Sequence, residues 1–292
     1  MPTVAQVVIT RFNLPSLGAE SVVRAQKDWL VDRVALFERY CLPSVRAQSS
    51  RDFEWLIYFD PQSPDWLMQR IREWAPGSFT PVFRESVSHD ELLGDIAGLF
   101  IARSLYLEEG DLLVTTNLDN DDGLARDFTE RIRAAGSSVT ERTAIYLVNG
   151  LIRRGADVYR RTDRDNAFCS VAEPWIDAQT CWVDWHNMLR KQMPVIELEG
   201  EPGWLQVVHD KNVSNRVHGT LTDPAPYRQL MSGLIDDAVA PHAGRRVADG
   251  ALVAPARQFA TAGRRGVKKL AVKVVGRSGL DAIKLRLARL LH

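Results

Sequence analysis

The order of apolar segments in the first 122 residues restricts this chain more than any other feature. Short apolar runs at 4–10, 54–60, 79–83 and 111–116 alternate with helix-period stretches at 28–41, 65–74 and 91–108. In the first of these helices Leu30, Val34, Phe37 and Cys41 share a face, and in the last Leu92, Ile96 and Leu99 do. Pro61, Pro64, Pro76, Gly77 and Gly110 punctuate the boundaries. A β-α-β-α-β-α-β order predicts an α/β fold with a mostly parallel, doubly wound central sheet. Ligands of such sheets bind beyond the carboxyl ends of the strands. That rule singles out Arg11, Asp60 and the run Asp119-Asn120-Asp121-Asp122.

The pattern changes after residue 123. A helix is expected over 124–135 and a strand pair over 144–154 and 158–161. A Trp-rich loop (Trp175, Trp182, Trp185) follows, then a short helix at 183–191 and a strand at 206–208. Pro, Gly and Ala punctuate 219–256, as in a linker or extension. The expected division is one domain over 1–220, in two halves (about 1–122 and about 123–220). A linker or extension over 221–256 and a basic segment over 257–292 complete it.

With 292 residues, 45% hydrophobic and 25% charged, the chain can build a core and is not a disordered polymer. Thirty-seven basic residues balance 37 acidic ones, so no global field draws nucleic acid. The balance is uneven, however. Residues 257–292 hold ten Lys/Arg against Asp281 alone, a net of +9, which leaves −9 on the remainder. Three scattered cysteines (Cys41, Cys169, Cys181) fit neither a disulfide framework nor a thiolate metal site. Neither a signal-peptide pattern nor an 18-residue apolar run is present, so a cytoplasmic enzyme is expected.

The acidic run after the fourth apolar segment carries the sharpest chemistry. Hard divalent cations take oxygen ligands, and Mg²⁺ often uses one or two carboxylates together with substrate phosphates. An Asp-x-Asp pair at a strand end suits that use. A solvated turn in which Asp and Asn bond their own backbone uses the same residues.

In the first half, residues 35–48 include Leu42-Pro-Ser44-Val-Arg-Ala-Gln48, residues 55–60 end in Asp60, and Ser63-Pro64-Asp65 follows. With the later Leu118-Asp-Asn-Asp-Asp122, these resemble the family 2-like glycosyltransferases. Thr10-Arg-Phe-Asn13, Asn166-Ala-Phe-Cys-Ser170 with Glu173, and residues 204–215 are similar to the rhamnosyltransferase group within them. The similarity spans about 4–219, and it implies that 1–122 is a nucleotide half and 123–220 an acceptor half. It implies a GT-A type fold and a metal-dependent, inverting transfer of a sugar from a nucleotide-diphosphate donor to a glycan or lipid-linked glycan. The sugar would be rhamnose, or another such as galactofuranose or a hexose. A carbohydrate- or nucleotide-binding protein that kept the fold without catalysis is the alternative.

The resemblance also implies roles. Asp60 would accept from the ring N–H of a pyrimidine, or simply cap its turn. Asp119 would face the ribose or a Mn²⁺ or Mg²⁺ ion, with Asn120 beside it at the nucleotide; Asp121 would ligate the ion and Asp122 would support it. His209 would complete the metal shell, since neutral imidazole is a competent ligand. Arg11 and Lys211 would meet the donor's base or diphosphate. Inverting transfer needs a carboxylate to deprotonate the acceptor hydroxyl. Asp184 is the first candidate, ahead of Glu173, with Asp177 also in the segment. Asp184 stands at a helix start with Arg190 six residues on, although Val183 replaces the acidic residue usual before it. Trp175, Trp182, Trp185 and Trp204 are candidates for stacking on acceptor sugar, as well as for core packing.

In the basic segment Val267, Leu270, Val274, Leu280, Ile283 and Leu287 recur at helical spacing between Lys and Arg. Such a pattern suits peripheral attachment to an anionic inner membrane face, or docking on the acidic body.

Overall fold

A computed structural model describes residues 2–15, 28–209 and 217–255. Lys211 and the basic segment 257–292 lie outside the described residues.

The first half follows the expected alternation. Strand β1 (Val4–Arg11) leads to helix α1 (Trp29–Leu36), a π-helical turn (Phe37–Cys41) and α2 (Leu42–Arg46). Then come β2 (Glu54–Phe59), α3 (Asp65–Trp74), β3 (Thr80–Phe83), α4 (His89–Ala102) and β4 (Leu112–Asn117). Helix α4 opens with a reciprocal cap, in which Ser88 accepts from the Glu91 amide and Glu91 accepts from the Ser88 amide. It stops earlier than the apolar period suggested, because Ser104 takes a left-handed φ of 57°.

The second half supplies β5 (Gly123–Leu124), α5 (Phe128–Gly136), β6 (Thr143–Leu147), β7 (Asn149–Arg154), β8 (Asp157–Thr162) and β9 (Ser170–Pro174). Next are β10 (Val195–Leu198), β11 (Trp204–Val207), β12 (Thr220–Thr222) and α6 (Ala243–Ala248). The central sheet has seven strands in the order β10-β6-β9-β4-β1-β2-β3. Strands β1 to β4 pair in parallel, whereas β9 runs antiparallel between β4 and β6. A smaller five-stranded sheet, β12-β8-β7-β11-β5, stands beside it.

Period-2 alternation buries both faces of the central sheet. Val8, Trp55, Ile57 and Phe59 meet Phe37, Leu67, Ile71, Trp74 and Phe128 on one side. Val7, Ile9, Leu56 and Tyr58 meet Leu92, Ile96, Leu99 and Phe100 of α4 on the other. Beyond β12, Met231, Leu234, Ile235 and Ala238 are buried against Leu151, Leu205 and Val207 of the small sheet. Arg153, 3% exposed, ties this segment down by donating to the Leu234 carbonyl and pairing with Asp237 at 2.7 Å.

Candidate active site

Strand β4 delivers the acidic turn to the carboxyl edge of the parallel strands, where the Leu118 amide still bonds the Ile9 carbonyl of β1. Asn120 then locks the turn onto β1. Its Nδ2 donates to the carbonyls of Arg11 (2.9 Å) and Phe12 (2.6 Å), so its Oδ1 is left to accept. That oxygen takes Arg33 Nη1 from α1 at 2.9 Å. Asn120 is buried with both ends of its amide engaged, so it braces the turn rather than contacting a nucleotide.

Arg33 Nη1 also reaches Asp121 Oδ2 at 2.8 Å, and the same oxygen lies 3.1 Å from His209 Nε2. Burial alone would raise the Asp121 carboxyl, but the His209 hydrogen bond and the Arg33 charge hold it below the ordinary carboxylate range. Asp122 is fully buried. Its Oδ1 accepts the Val207 amide of β11 at 2.8 Å, while its Oδ2 has no hydrogen-bond partner. Burial, then the charges of Asp121 and Asp119, push this carboxyl well upward. Asp119 is open to solvent yet flanked by protein. That partial burial and then Asp121 raise it, against a hydrogen bond from Asn117.

These residues fit a hard divalent cation. The 3.1 Å between Asp121 Oδ2 and His209 Nε2 is about the edge of an octahedron with bonds of about 2.1 Å. Carboxylate oxygen plus imidazole is a donor set that Mg²⁺ or Mn²⁺ accepts. Asp122 Oδ2, in the same turn, has no hydrogen-bond partner among the described residues. Among the described residues no group of three or more His, Cys, Asp or Glu side chains is placed to hold an ion, so the Asp121–His209 pair would need further ligands from substrate or solvent oxygens.

A second wall rises from residues 175–186. Antiparallel β9 carries the chain away from the acidic turn, and the following segment climbs back along the sheet. On the way the Cys181 amide bonds Thr115 Oγ1 (2.8 Å), and Trp182 Nε1 bonds Asn117 Oδ1 (2.8 Å). Trp182 rests against Tyr58 and carries the Arg11 guanidinium 4.1 Å above its ring. It is therefore the platform for Arg11. His186 follows, its Nδ1 2.5 Å from the Asp165 carbonyl, and its charge lowers the Asp119 carboxyl against the stronger effects that raise it. Trp185 is 75% exposed beside it.

Other candidates take structural roles. Glu173 pairs across from Leu113, about 13 Å of strand below Asn117. It has no exposed surface, and it accepts Arg142 Nε (2.6 Å) and the amides of Gln179 (2.9 Å) and Thr180 (2.7 Å). A carboxylate so placed cannot reach an acceptor hydroxyl. Asp177 belongs to the same remote bend, its carbonyl accepting Arg142 Nη2 at 2.7 Å. Trp175 packs on Phe100 and its amide donates to the Asp111 carbonyl at the foot of β4, at the opposite end of that strand from the acidic turn. Trp204 is 1% exposed, stacked on Phe168 and donating to the Leu147 carbonyl. A Cβ on Gly150 would fall 2.1 Å from the Trp204 ring, so the indole occupies that glycine's vacant side.

Asp184 caps a turn rather than an α-helix, since only Leu189–Lys191 is helical there, as a 3₁₀ turn. Its oxygens accept the Trp185 amide at 2.7 Å and Gln192 Nε2. Asp60 likewise caps a turn through the Gln62 amide (2.8 Å), while Asn13 bonds the Asp60 amide and Ser63 Oγ (both 3.0 Å). Gln48 bridges α2 to the segment beyond β5, donating to Ala125 and accepting from Thr129. Arg33, Asn117 and His186 are the site residues that sequence reasoning missed. No local pattern in the sequence signals any of the three, since each meets the site through a partner distant in the chain.

The sequence profile described as "Putative rhamnosyl transferase" matches residues 5–221. Among solved structures, a "putative nucleotide-diphospho-sugar transferase" from Desulfovibrio desulfuricans G20 aligns at 11% identity and a TM-score of 0.36, over 72% of this chain and 83% of that one. S. aureus TarS 1–349 in complex with UDP aligns at 9% identity and 0.40, over 80% and 65%. No curated protein sequence matches significantly. Among the described residues no helix is long and apolar enough to cross a membrane.

Proposed function

Because the chain belongs to the Putative rhamnosyl transferase family, we propose that it is a glycosyltransferase that moves a sugar, rhamnose in the first instance, from a nucleotide-diphosphate donor to a glycan acceptor with inversion. The observation that carries this reading is the meeting of Asp121 and His209 at the carboxyl edge of β4, with Asp119 exposed beside them. Asp121 and His209 would hold a Mn²⁺ or Mg²⁺ ion, with Asp119 beside it on the donor side, and the ion would neutralise charge on the leaving diphosphate.

The chain's own residues divide the remaining tasks. Arg11, held on Trp182, offers a fixed guanidinium to phosphate oxygens or to the base. Asp60 receives the nucleotide at the neighbouring strand end, and Lys211 adds charge on the donor side. Asp184 takes the proton from the attacking hydroxyl. Its support is position, because the same short segment anchors Trp182 on Asn117 and sets His186 in the field of Asp119. Trp185 gives the acceptor sugar an exposed indole face. The segment 257–292, with its net charge of +9, would bring the enzyme to an anionic membrane surface carrying a lipid-linked acceptor.

The test is a panel of nucleoside-diphosphate sugars, rhamnose and hexoses included, incubated with Mn²⁺. Release of nucleoside diphosphate from one donor supports the reading. Tight donor binding with no release, with or without acceptor glycans, would leave a binding protein.

A further inference from the structure

Arg33 Nη1 holds Asp121 Oδ2 (2.8 Å), the carboxylate oxygen that also faces His209 Nε2 (3.1 Å). We propose that Arg33 is a resident counter-cation of the acidic turn, which competes with a divalent ion for Asp121 and so sets the affinity of the metal site. This rests on the reading of Asp121 and His209 as metal ligands.

Three observations support it. The guanidinium is fixed rather than loosely surface-borne. Nη1 also donates to Asn120 Oδ1 (2.9 Å), its carbon lies 5.2 Å from the Trp29 ring centroid, and the side chain is 18% exposed. One nitrogen thereby bridges Asn120 and Asp121, consecutive residues of the acidic turn. Finally, a cation seated between Asp121 Oδ2 and His209 Nε2 would share an oxygen with Arg33. The two positive centres would lie within about 5 Å, where like charges in a partly buried site repel strongly.

Arg33 sits on α1, and the π-helical turn that follows α1 packs beneath the same site. There the Tyr40 carbonyl lies 3.6 Å from where a Cβ on Gly123 would stand, just past the acidic turn.

The test is direct Mn²⁺ titration of the full chain, with free ion followed by electron paramagnetic resonance and no substrate present. Arg33→Met should bind Mn²⁺ about tenfold more tightly than wild type, and Arg33→Lys should stay near wild type because it keeps the charge. Trp29→Leu, which loosens the guanidinium but leaves it in place, gives an intermediate gain and serves if Arg33→Met does not fold. Unchanged or weaker binding in Arg33→Met, or in Trp29→Leu where that variant stands in, overturns the proposal while leaving the metal site intact. Absence of binding in wild type and in every variant overturns the metal reading as well.

Discussion

His209 Nε2 and Asp121 Oδ2 stand 3.1 Å apart although 88 positions separate them in the chain. Strand β4 brings one, and the end of β11 brings the other. Two elements from different sheets thus converge on one polar point at the ligand edge. Replacing His209 by Ala should weaken Mn²⁺-dependent nucleoside-diphosphate binding by at least tenfold and leave the fold intact, since the imidazole is partly exposed. Calorimetric titration with and without Mn²⁺ checks this, and equal affinities in the two proteins would contradict it.

Asp184→Asn should keep donor affinity and lose about 10²–10⁴-fold in transfer to acceptor, the usual contribution of a general base. The amide preserves shape and removes basicity. A fall of less than about tenfold would reassign the proton transfer, with His186 as the next group to test.

Glu173→Ala should behave in the opposite way. It breaks a buried ion pair with Arg142 and leaves the Gln179 and Thr180 amides without acceptors. Arg142 is 31% exposed, so the cost falls at the lower end for buried pairs, about 3 kcal/mol. Thermal denaturation would show the loss, while the folded fraction retains its turnover per molecule. A specific collapse of kcat at unchanged Tm would restore a catalytic role.

Acid sensitivity has an identifiable contributor outside the acidic turn. The hydrogen bond from Arg153, opposed by partial burial and helped by the charges of Arg153 and Arg39, holds the Asp237 carboxyl at about 2 against an ordinary 3.8. A carboxyl whose folded value is depressed stabilises the protein above its unfolded value and loses that contribution as pH falls through the folded one. The Tm gap between wild type and Asp237→Asn should therefore close between about pH 4 and pH 2. Asp237 is 56% exposed, so screening limits the gap to under about 1 kcal/mol. A gap that persists at pH 2 would contradict the assignment.

Much of this was legible in the sequence, and what was not has physical causes. Period and punctuation found β1 to β4 and the helices between them, because β1, β2 and β4 bury both faces and each long helix buries one. The acidic turn could be placed from topology alone. Strand β9 escaped because Ser170–Pro174 is short, with a buried carboxylate inside it. Missing it left Glu173 and Trp175 at the wrong end of the sheet. Trp204 looked like an acceptor contact, yet Gly150 and Phe168 enclose it. Arg33 meets Asn120 across 87 positions, a pairing no local pattern announces.

The central claim concerns transfer from a nucleotide sugar at the Asp121 site. Its most direct measurement follows release of nucleoside diphosphate from nucleoside-diphosphate rhamnose by wild type and Asp121→Ala, each with Mn²⁺ and with EDTA. The account predicts release by wild type with Mn²⁺, and at least a hundredfold less with EDTA or in Asp121→Ala at either condition. Release by Asp121→Ala at the wild-type rate, or by wild type undiminished in EDTA, would contradict it.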